Sequence, residues 1–401
     1  MDYTTQSLGF RLKKLLRYLK LYGLRRTLAK VRGQYHMKRR FATLPILRGN
    51  ANGHVGLLGC GNFAFSNIAY YLDKKYGRVM RGCMDVDVHR AASLAQHYGL
   101  HYYTDDANRI FEDPEIDLVY IASNHATHAE YAIEAIKCGK AVHIEKPHVV
   151  SEEQLVRLCT QIHQSNGRAR LGFNRPKSRI GRLIFENLGS QSGPAMLNWF
   201  LAGHEIDPDH WYFHEQEGGR ILGNLCHWTD FVFQMIAPED RYPIAITPTR
   251  AERSDCDIAV TFTFGDGSIA AITFSAKGHT FEGVREMFCA HRGNVLISMS
   301  DFRELEIEIV DQKKKYRPWF RDHGHSGAIE RSYQMSKQGN SRGVGSDSTN
   351  DPDTTPSESV QYIWETGQLF LKTKEALEAR TVITLQKEES AWLQSSQPTS
   401  V

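Results

Sequence analysis

Apolar residues follow three rhythms along the chain, and each predicts a different kind of element. The first is helical. Leu8, Leu12, Leu15, Leu16 and Leu19 recur at i, i+4, i+7, i+8 and i+11, which is one face of a helix. Lys13, Lys14, Arg17 and Lys20 fall largely away from that stripe, and Gly23 is expected to break the helix before a second basic segment at 24–31. The second rhythm is the short unbroken apolar run bounded by turns. It appears at 55–58, 79–83, 117–122, 141–144 and 169–173, with helical stretches between, as in a parallel sheet buried on both faces. A helix at 129–138 should end at Gly139, and Ser151 with Gln154 forms a capping box that opens another. The third rhythm is strict alternation. Val260, Phe262 and Phe264 alternate with threonines, Gly265-Asp266-Gly267 turns the chain, and 269–274 returns as a partner strand. Segments 292–298 and 304–310 read as further strands, 336–359 as a polar mobile loop, 360–377 as a helix and the tail after Glu389 as disordered.

One turn between the first run and its helix carries candidate chemistry. Gly59-Cys60-Gly61-Asn62-Phe63-Ala64 is a G-x-G-x-x-A sequence placed directly after a strand and opening a helix. The first glycine permits the tight turn, the second lets a pyrophosphate approach the backbone, and Ala64 allows close packing of helix on strand. Asp85 follows the second strand, twenty-four residues after Gly61, where a carboxylate can accept both ribose hydroxyls and repel an added 2′-phosphate. NAD is therefore preferred, with NADP as the alternative because Arg90 sits in the loop beyond. Glu145-Lys146-Pro147 ends the 141–144 strand, and ligands of open α/β sheets bind at such strand ends.

Composition narrows the setting. The chain has 401 residues, 41% of them hydrophobic, with 49 Lys plus Arg against 46 Asp plus Glu, enough for two domains of an ordinary globular protein. Wholesale disorder, collagen and a disulfide scaffold are excluded, and no stretch of eighteen uninterrupted apolar residues suggests a spanning helix. Seven scattered cysteines and an N-terminus without a leader pattern point to reduced thiols and a cytoplasmic location. The charge is unevenly placed: residues 1–40 hold twelve basic residues and one acid, Asp2, so a +11 arm precedes a body of −8. That arm fits peripheral contact with an anionic membrane through residues 8–32, or packing on the acidic body or a neighbouring subunit. Nucleic acid is not expected, since aromatics are few there and no recognition motif follows.

These features together resemble the glucose–fructose oxidoreductase / inositol dehydrogenase / MocA-like (Gfo/Idh/MocA) family of nicotinamide-dependent sugar and polyol oxidoreductases. The resemblance rests on the Gly59–Ala64 turn, Asp85, the loop 124–128, Glu145-Lys146-Pro147, the stretch 172–175 and the segment 218–230, and covers roughly residues 53–330 but not the arm. It implies an α/β fold: a Rossmann-type parallel sheet followed by an α/β domain with a large, mostly antiparallel sheet. The expected organisation is a basic arm at 1–50, a nucleotide domain at 51–173, a substrate and oligomerisation domain at 174–390 and a tail at 391–401. It further implies cofactor contacts from Gly59, Gly61, Asn62, Phe63, Ala64, Asp85, Ser123, Asn124, His128, Glu145 and Lys146. Lys146 and His227 become the catalytic candidates, because a lysine in a partly desolvated cleft beside a cationic nicotinamide can exchange a proton with a substrate hydroxyl. Asn174, Arg175, Trp211, Arg220 and Asn224 are the substrate candidates, Trp211 offering a stacking face for a sugar. Many family members carry an aspartate four residues before the histidine, where this chain has Gly223. A metal at His204, His210 and His214 is not expected, since Pro208 interrupts the segment and no carboxylate pattern accompanies it. The implied activity is hydride transfer between NAD and a secondary hydroxyl or keto group of a sugar or nucleotide sugar, in a homodimer or homotetramer joined through the open face of the second sheet, with surface-glycan biosynthesis as the setting it suggests. Two other readings share these residues: an NAD-dependent glycoside hydrolase of the same fold, and a non-catalytic assembly partner at the membrane.

Overall fold

The computed structural model describes residues 6–207, 209–250, 257–277, 281–336 and 357–387. Most of the loop expected at 336–359, and the tail at 391–401, lie outside the described residues. The chain forms two compact units that interleave along the sequence. One comprises Leu28–Gly172 and His325–Gly367; the other comprises Met1–Thr27, Phe173–Gly324 and Gln368–Glu389. The nucleotide unit therefore begins inside the segment read as an arm and regains chain from beyond residue 324.

The nucleotide unit is built on β1 (Val55–Leu58), β2 (Met80–Met84), β3 (Tyr102–Thr104), β4 (Leu118–Ile121), β5 (Ala141–Ile144) and β6 (Ala169–Leu171). They run in the order β3-β2-β1-β4-β5-β6, and every neighbouring pair is parallel. β1, β4 and β5 are buried at every position, which is why their sequences read as unbroken apolar runs. The helix after β4 spans His125–Lys137 and starts earlier than its apolar pattern suggested, because the polar-looking His125 and His128 are themselves buried. Ser151 caps the helix Glu152–Gln164 by accepting from the Gln154 amide, as its capping box required. The returning helix His325–Tyr333 belongs here for a packing reason. The Tyr120 hydroxyl donates to the Ile329 carbonyl at 2.7 Å, His143 Nδ1 lies 2.7 Å from Ser332 Oγ, and Tyr333 stacks on Tyr76.

The second unit carries a nine-stranded sheet in the order β14-β13-β12-β11-β7-β10-β9-β8-β15. Its strands are β7 (Ala195–Ala202), β8 (Ile244–Arg250), β9 (Asp257–Thr263), β10 (Ile269–Ser275), β11 (Arg285–Arg292), β12 (Val295–Ser300), β13 (Glu304–Ile309), β14 (Gln312–Tyr316) and β15 (Ile383–Leu385). All pairs are antiparallel except β7 with β10. Alternation sends Leu197, Trp199 and Leu201 of β7 inward, where Trp199 meets Phe231 of the helix Cys226–Met235 and Phe288 of β11. The other face presents Met196, Phe200, Ile269, Met287 and Leu296 outward.

The helix α1 (Leu8–His36) leaves helical geometry at Gly23, with φ 74° and ψ 170°. An added Cβ there would also press on the Phe320 ring at 3.0 Å. The first limb faces its unit with Lys14 and Arg17 beside Phe10 and the fully buried Leu21, which reverses the expectation for Lys14 and Arg17. Lys14 Nζ donates to the Phe281 carbonyl at 2.9 Å, and its burial pulls the ammonium pKa down to about 8. Arg17 pairs with Glu282, whose other oxygen takes the buried Arg321 guanidinium at 2.6 Å. The expected packing on an acidic partner surface is present in this ion cluster, while Leu8, Leu12 and Leu16 remain exposed.

Candidate cofactor and active site

Chain geometry explains the glycines of the first turn. Gly59 has φ +85°, and a Cβ on it would stand 2.5 Å from the Ala122 carbonyl oxygen, so only glycine fits. Gly61 is the opposite case: an added Cβ would meet nothing within 4 Å, leaving the clear approach that a pyrophosphate needs. The chain then coils directly, the Phe65 amide donating to the Gly61 carbonyl, with Ala64 fully buried. Asp85 Oδ2 accepts from the Cys60 amide at 2.7 Å and Oδ1 from the Asp87 amide at 2.9 Å. These bonds hold the carboxylate in place and leave lone pairs for ribose hydroxyls. Arg90, the residue that left NADP as an alternative, pairs with Asp87, as does Arg40.

Arg40 belongs to a part of this site that the sequence did not reveal. The second limb of α1 and the residues after it line the outside of the glycine turn. A carbonyl oxygen can only accept, so His36 Nε2 donates to Cys60 at 2.7 Å and Nδ1 accepts from the Ser93 hydroxyl at 2.9 Å. Burial holds the His36 pKa below its usual value, consistent with this neutral tautomer, and the ring stacks on Phe65. Phe41 stacks on His89 and its amide donates to His89 Nδ1 at 3.2 Å. Gly33 lets the limb approach closely, since a Cβ there would lie 2.3 Å from Asn62 Oδ1, an oxygen that is buried without a hydrogen-bond partner. The available signal was the i, i+3 spacing of Gly33 and His36, a small residue and a polar one on a single helical face.

At the ends of β4 and β5 the expected residues serve different purposes. Ser123 Oγ accepts from the Thr127 hydroxyl at 2.7 Å, and the exposed Asn124 precedes the first turn of the following helix. His128 is buried with Nδ1 2.8 Å from the Pro147 carbonyl and Nε2 3.1 Å from the Ser123 carbonyl. Burial lowers its pKa, and a neutral ring has a single N–H, so His128 donates to one of these two carbonyls while its other nitrogen lies against the second. Glu145 is buried beside His143 Nε2 at 3.2 Å and lies over Gly172, where a Cβ would meet its carboxylate at 2.7 Å. Lys146 follows, partly exposed, with a cis peptide bond to Pro147. Phe63 is partly buried, its ring 5.6 Å from that of His325.

In the second unit the substrate candidates divide. Arg175 forms a two-pronged pair with Glu286, at 3.1 Å and 2.9 Å, and lies over the Trp228 ring, whose indole donates to the same carboxylate. Asn174 is spent on the His323 carbonyl and on Arg175. Arg220 donates to the His204 carbonyl and covers Phe274. These three were expected to meet substrate; in the structure Asn174 and Arg175 bond to neighbouring groups of their own unit, and Arg220 bonds to the His204 carbonyl with its Nε buried and unpartnered. Trp211 lies half-buried on a short turn. Asn224 Oδ1 is buried without a hydrogen-bond partner, three residues before His227, which is itself 8% exposed and edge-on to Phe173. Glu286, the centre of the network, went unmarked because β11 shows few strand formers.

Comparison with known proteins agrees with this geometry. Residues 54–173 match the family described as an oxidoreductase family with an NAD-binding Rossmann fold, GFO_IDH_MocA. The uncharacterized oxidoreductase YrbE of Bacillus subtilis (strain 168) is 24% identical over 275 residues, 66% of this chain and 79% of its own. The scyllo-inositol 2-dehydrogenase (NAD(+)) of the same organism is 27% identical over 276 residues, 63% of this chain and 77% of its own. Among solved structures, levoglucosan dehydrogenase in complex with NADH superposes with a TM-score of 0.67 at 17% identity, covering 84% of this chain and all of its own, a likeness of fold. With the glycine turn, the held Asp85 carboxylate and the matched segment in agreement, residues 54–173 form an NAD-binding Rossmann domain of the GFO_IDH_MocA oxidoreductase type.

Proposed function

We propose that this protein is an NAD-dependent oxidoreductase that moves a hydride between the cofactor and a secondary hydroxyl or keto group of a sugar, cyclic polyol or nucleotide sugar. The observation that carries it is the Gly59–Gly61 turn, open in front of Gly61 and braced against Asp85. Bound NAD would supply the hydride acceptor at its nicotinamide. The chain's own work is proton transfer and positioning. Lys146, at the C-terminal end of β5, takes the proton from the substrate hydroxyl as the C–H bond breaks, and returns it in the reverse direction. His227 orients that hydroxyl, with Asn224 and Trp211 offering an acceptor and a stacking face to the sugar ring. Gly223 leaves Lys146 and His227 to move the proton without a third acid. Relatives that act on inositol favour polyol-like substrates, and the nucleotide-sugar variant would place the enzyme in surface-glycan assembly, as a homo-oligomer.

The test is NADH absorbance with a panel of inositols, free sugars and UDP- or dTDP-sugars, in parallel with calorimetry of NAD binding. Lys146→Ala is expected to lose about a hundred- to ten-thousand-fold in turnover with NAD still bound. Binding of NAD with no oxidation or reduction of any member would overturn the proposal. Release of free sugar from an aryl glycoside without net NADH would favour the hydrolase reading, and biological activity retained by Lys146→Ala would favour the non-catalytic one.

A further inference from the structure

We propose that the outer face of the first limb of α1 docks on an anionic lipid surface. An amphipathic helix against a protein body ordinarily turns its leucines inward. This limb turns Phe10 and Leu21 inward and leaves a stripe of three other leucines outward. It is fastened by Lys14 to the Phe281 carbonyl, by Arg17 to Glu282 and by the Leu21 carbonyl to the Arg321 amide. In consequence Leu8, Leu12 and Leu16 stand in a line at i, i+4 and i+8, exposed by 75%, 57% and 58%. Leu24, just past the break, is 63% exposed. The exposed charges of this limb and its break are Lys13, Lys20 and Arg25, and no acid occurs between residues 3 and 40.

Leucines flanked only by cations form the face that an interfacial helix sinks into a headgroup layer, apolar side chains reaching the acyl boundary and cations meeting phosphates. A second copy of the same face fits poorly, because a two-fold contact would set like charges against one another without counter-charge. The inference goes beyond the proposed chemistry and does not depend on it.

The experiment sediments the full-length protein with phosphatidylglycerol-containing vesicles and with pure phosphatidylcholine vesicles, at low and high salt. Three exposed cations, each contributing roughly five-fold, should favour the anionic vesicles by on the order of 100-fold at low salt, and high salt should remove most of that preference. Replacing Leu8, Leu12 and Leu16 together by Gln should abolish sedimentation with an unchanged melting temperature and unchanged NAD affinity. Replacing Lys13, Lys20 and Arg25 by Gln should remove only the salt-sensitive part. Full-length protein left in the supernatant at low salt would overturn the proposal. So would undiminished sedimentation of the leucine variant, or light scattering in which that variant breaks a dimer, since the face would then belong to a second copy.

Discussion

At the scale of single residues, the informative cases are those whose chemistry was visible but whose destination was not. Arg175 follows Asn174 in a segment that the family resemblance assigned to substrate, yet its guanidinium is matched to both oxygens of Glu286, which is 1% exposed. A buried charge is tolerable only while its partner is present. Glu286→Ala is therefore expected to cost about 3–5 kcal/mol in denaturant unfolding, whereas Arg175→Met combined with Glu286→Met should recover most of the loss. A single variant within about 0.5 kcal/mol of the parent would show that the pair is not the anchor described. Gly59 and Asp85 are the contrasting case, because a positive φ and a strand-end acid express constraints that act over a few residues.

At the scale of elements, a buried histidine that donates to a carbonyl fastens a helix at two places, His36 and His148. His148 is fully buried, and its Nε2 donates to the Ile363 carbonyl at 3.0 Å, in the helix Val360–Ala379. Burial drives its pKa down to about 3, against 6.5 for an ordinary histidine. The unfolded chain therefore binds this proton more readily than the folded one between those values. Stability from this site is complete above pH 6.5 and declines as the pH falls toward 3, by up to about 1.4 kcal/mol per pH unit. His148→Gln keeps a donor near the Nε2 position and cannot titrate, so its unfolding free energy should fall less steeply over that interval. Parallel slopes for the two proteins would remove His148 from the account. The two limbs of α1 illustrate element-scale choice in another way, since each is fixed by its own set of partners, Lys14 and Arg17 in one and His36 in the other.

At the scale of the whole molecule, the outer face of the nine-stranded sheet is where large apolar side chains stand exposed. Phe200 of β7 and Met287 of β11 are register partners, Ile269 of β10 pairs with Met196 of β7, and Leu296 of β12 lies beyond His291 of β11. An exposed face that carries five large apolar side chains is a candidate interaction surface. We expect light scattering to give at least a dimer, and Phe200→Lys with Met287→Lys to return it to a monomer near 45.7 kDa. A parent protein already at the monomer mass would refute the assembly.

The sequence by itself determined what local geometry enforces. The unbroken runs of β1, β4 and β5, the Gly59 turn, Asp85 and the alternation of β9 and β10 all express constraints of a few neighbouring residues, so pattern was sufficient to find them. Tertiary structure decided wherever a side chain had two acceptable partners. Lys14 and Arg17 could have faced solvent, and the placement of Phe281 and Glu282 turned them inward. Arg175 and Arg220 are placed by Glu286 and the His204 carbonyl, partners that no local pattern names. β11 was hidden because its charged ends mask the alternation that β7 and β12 complete on either side. His36 reached the glycine turn because the fold brings residues 36 and 60 together, and the Gly33/His36 spacing marks a helical face without naming what it meets.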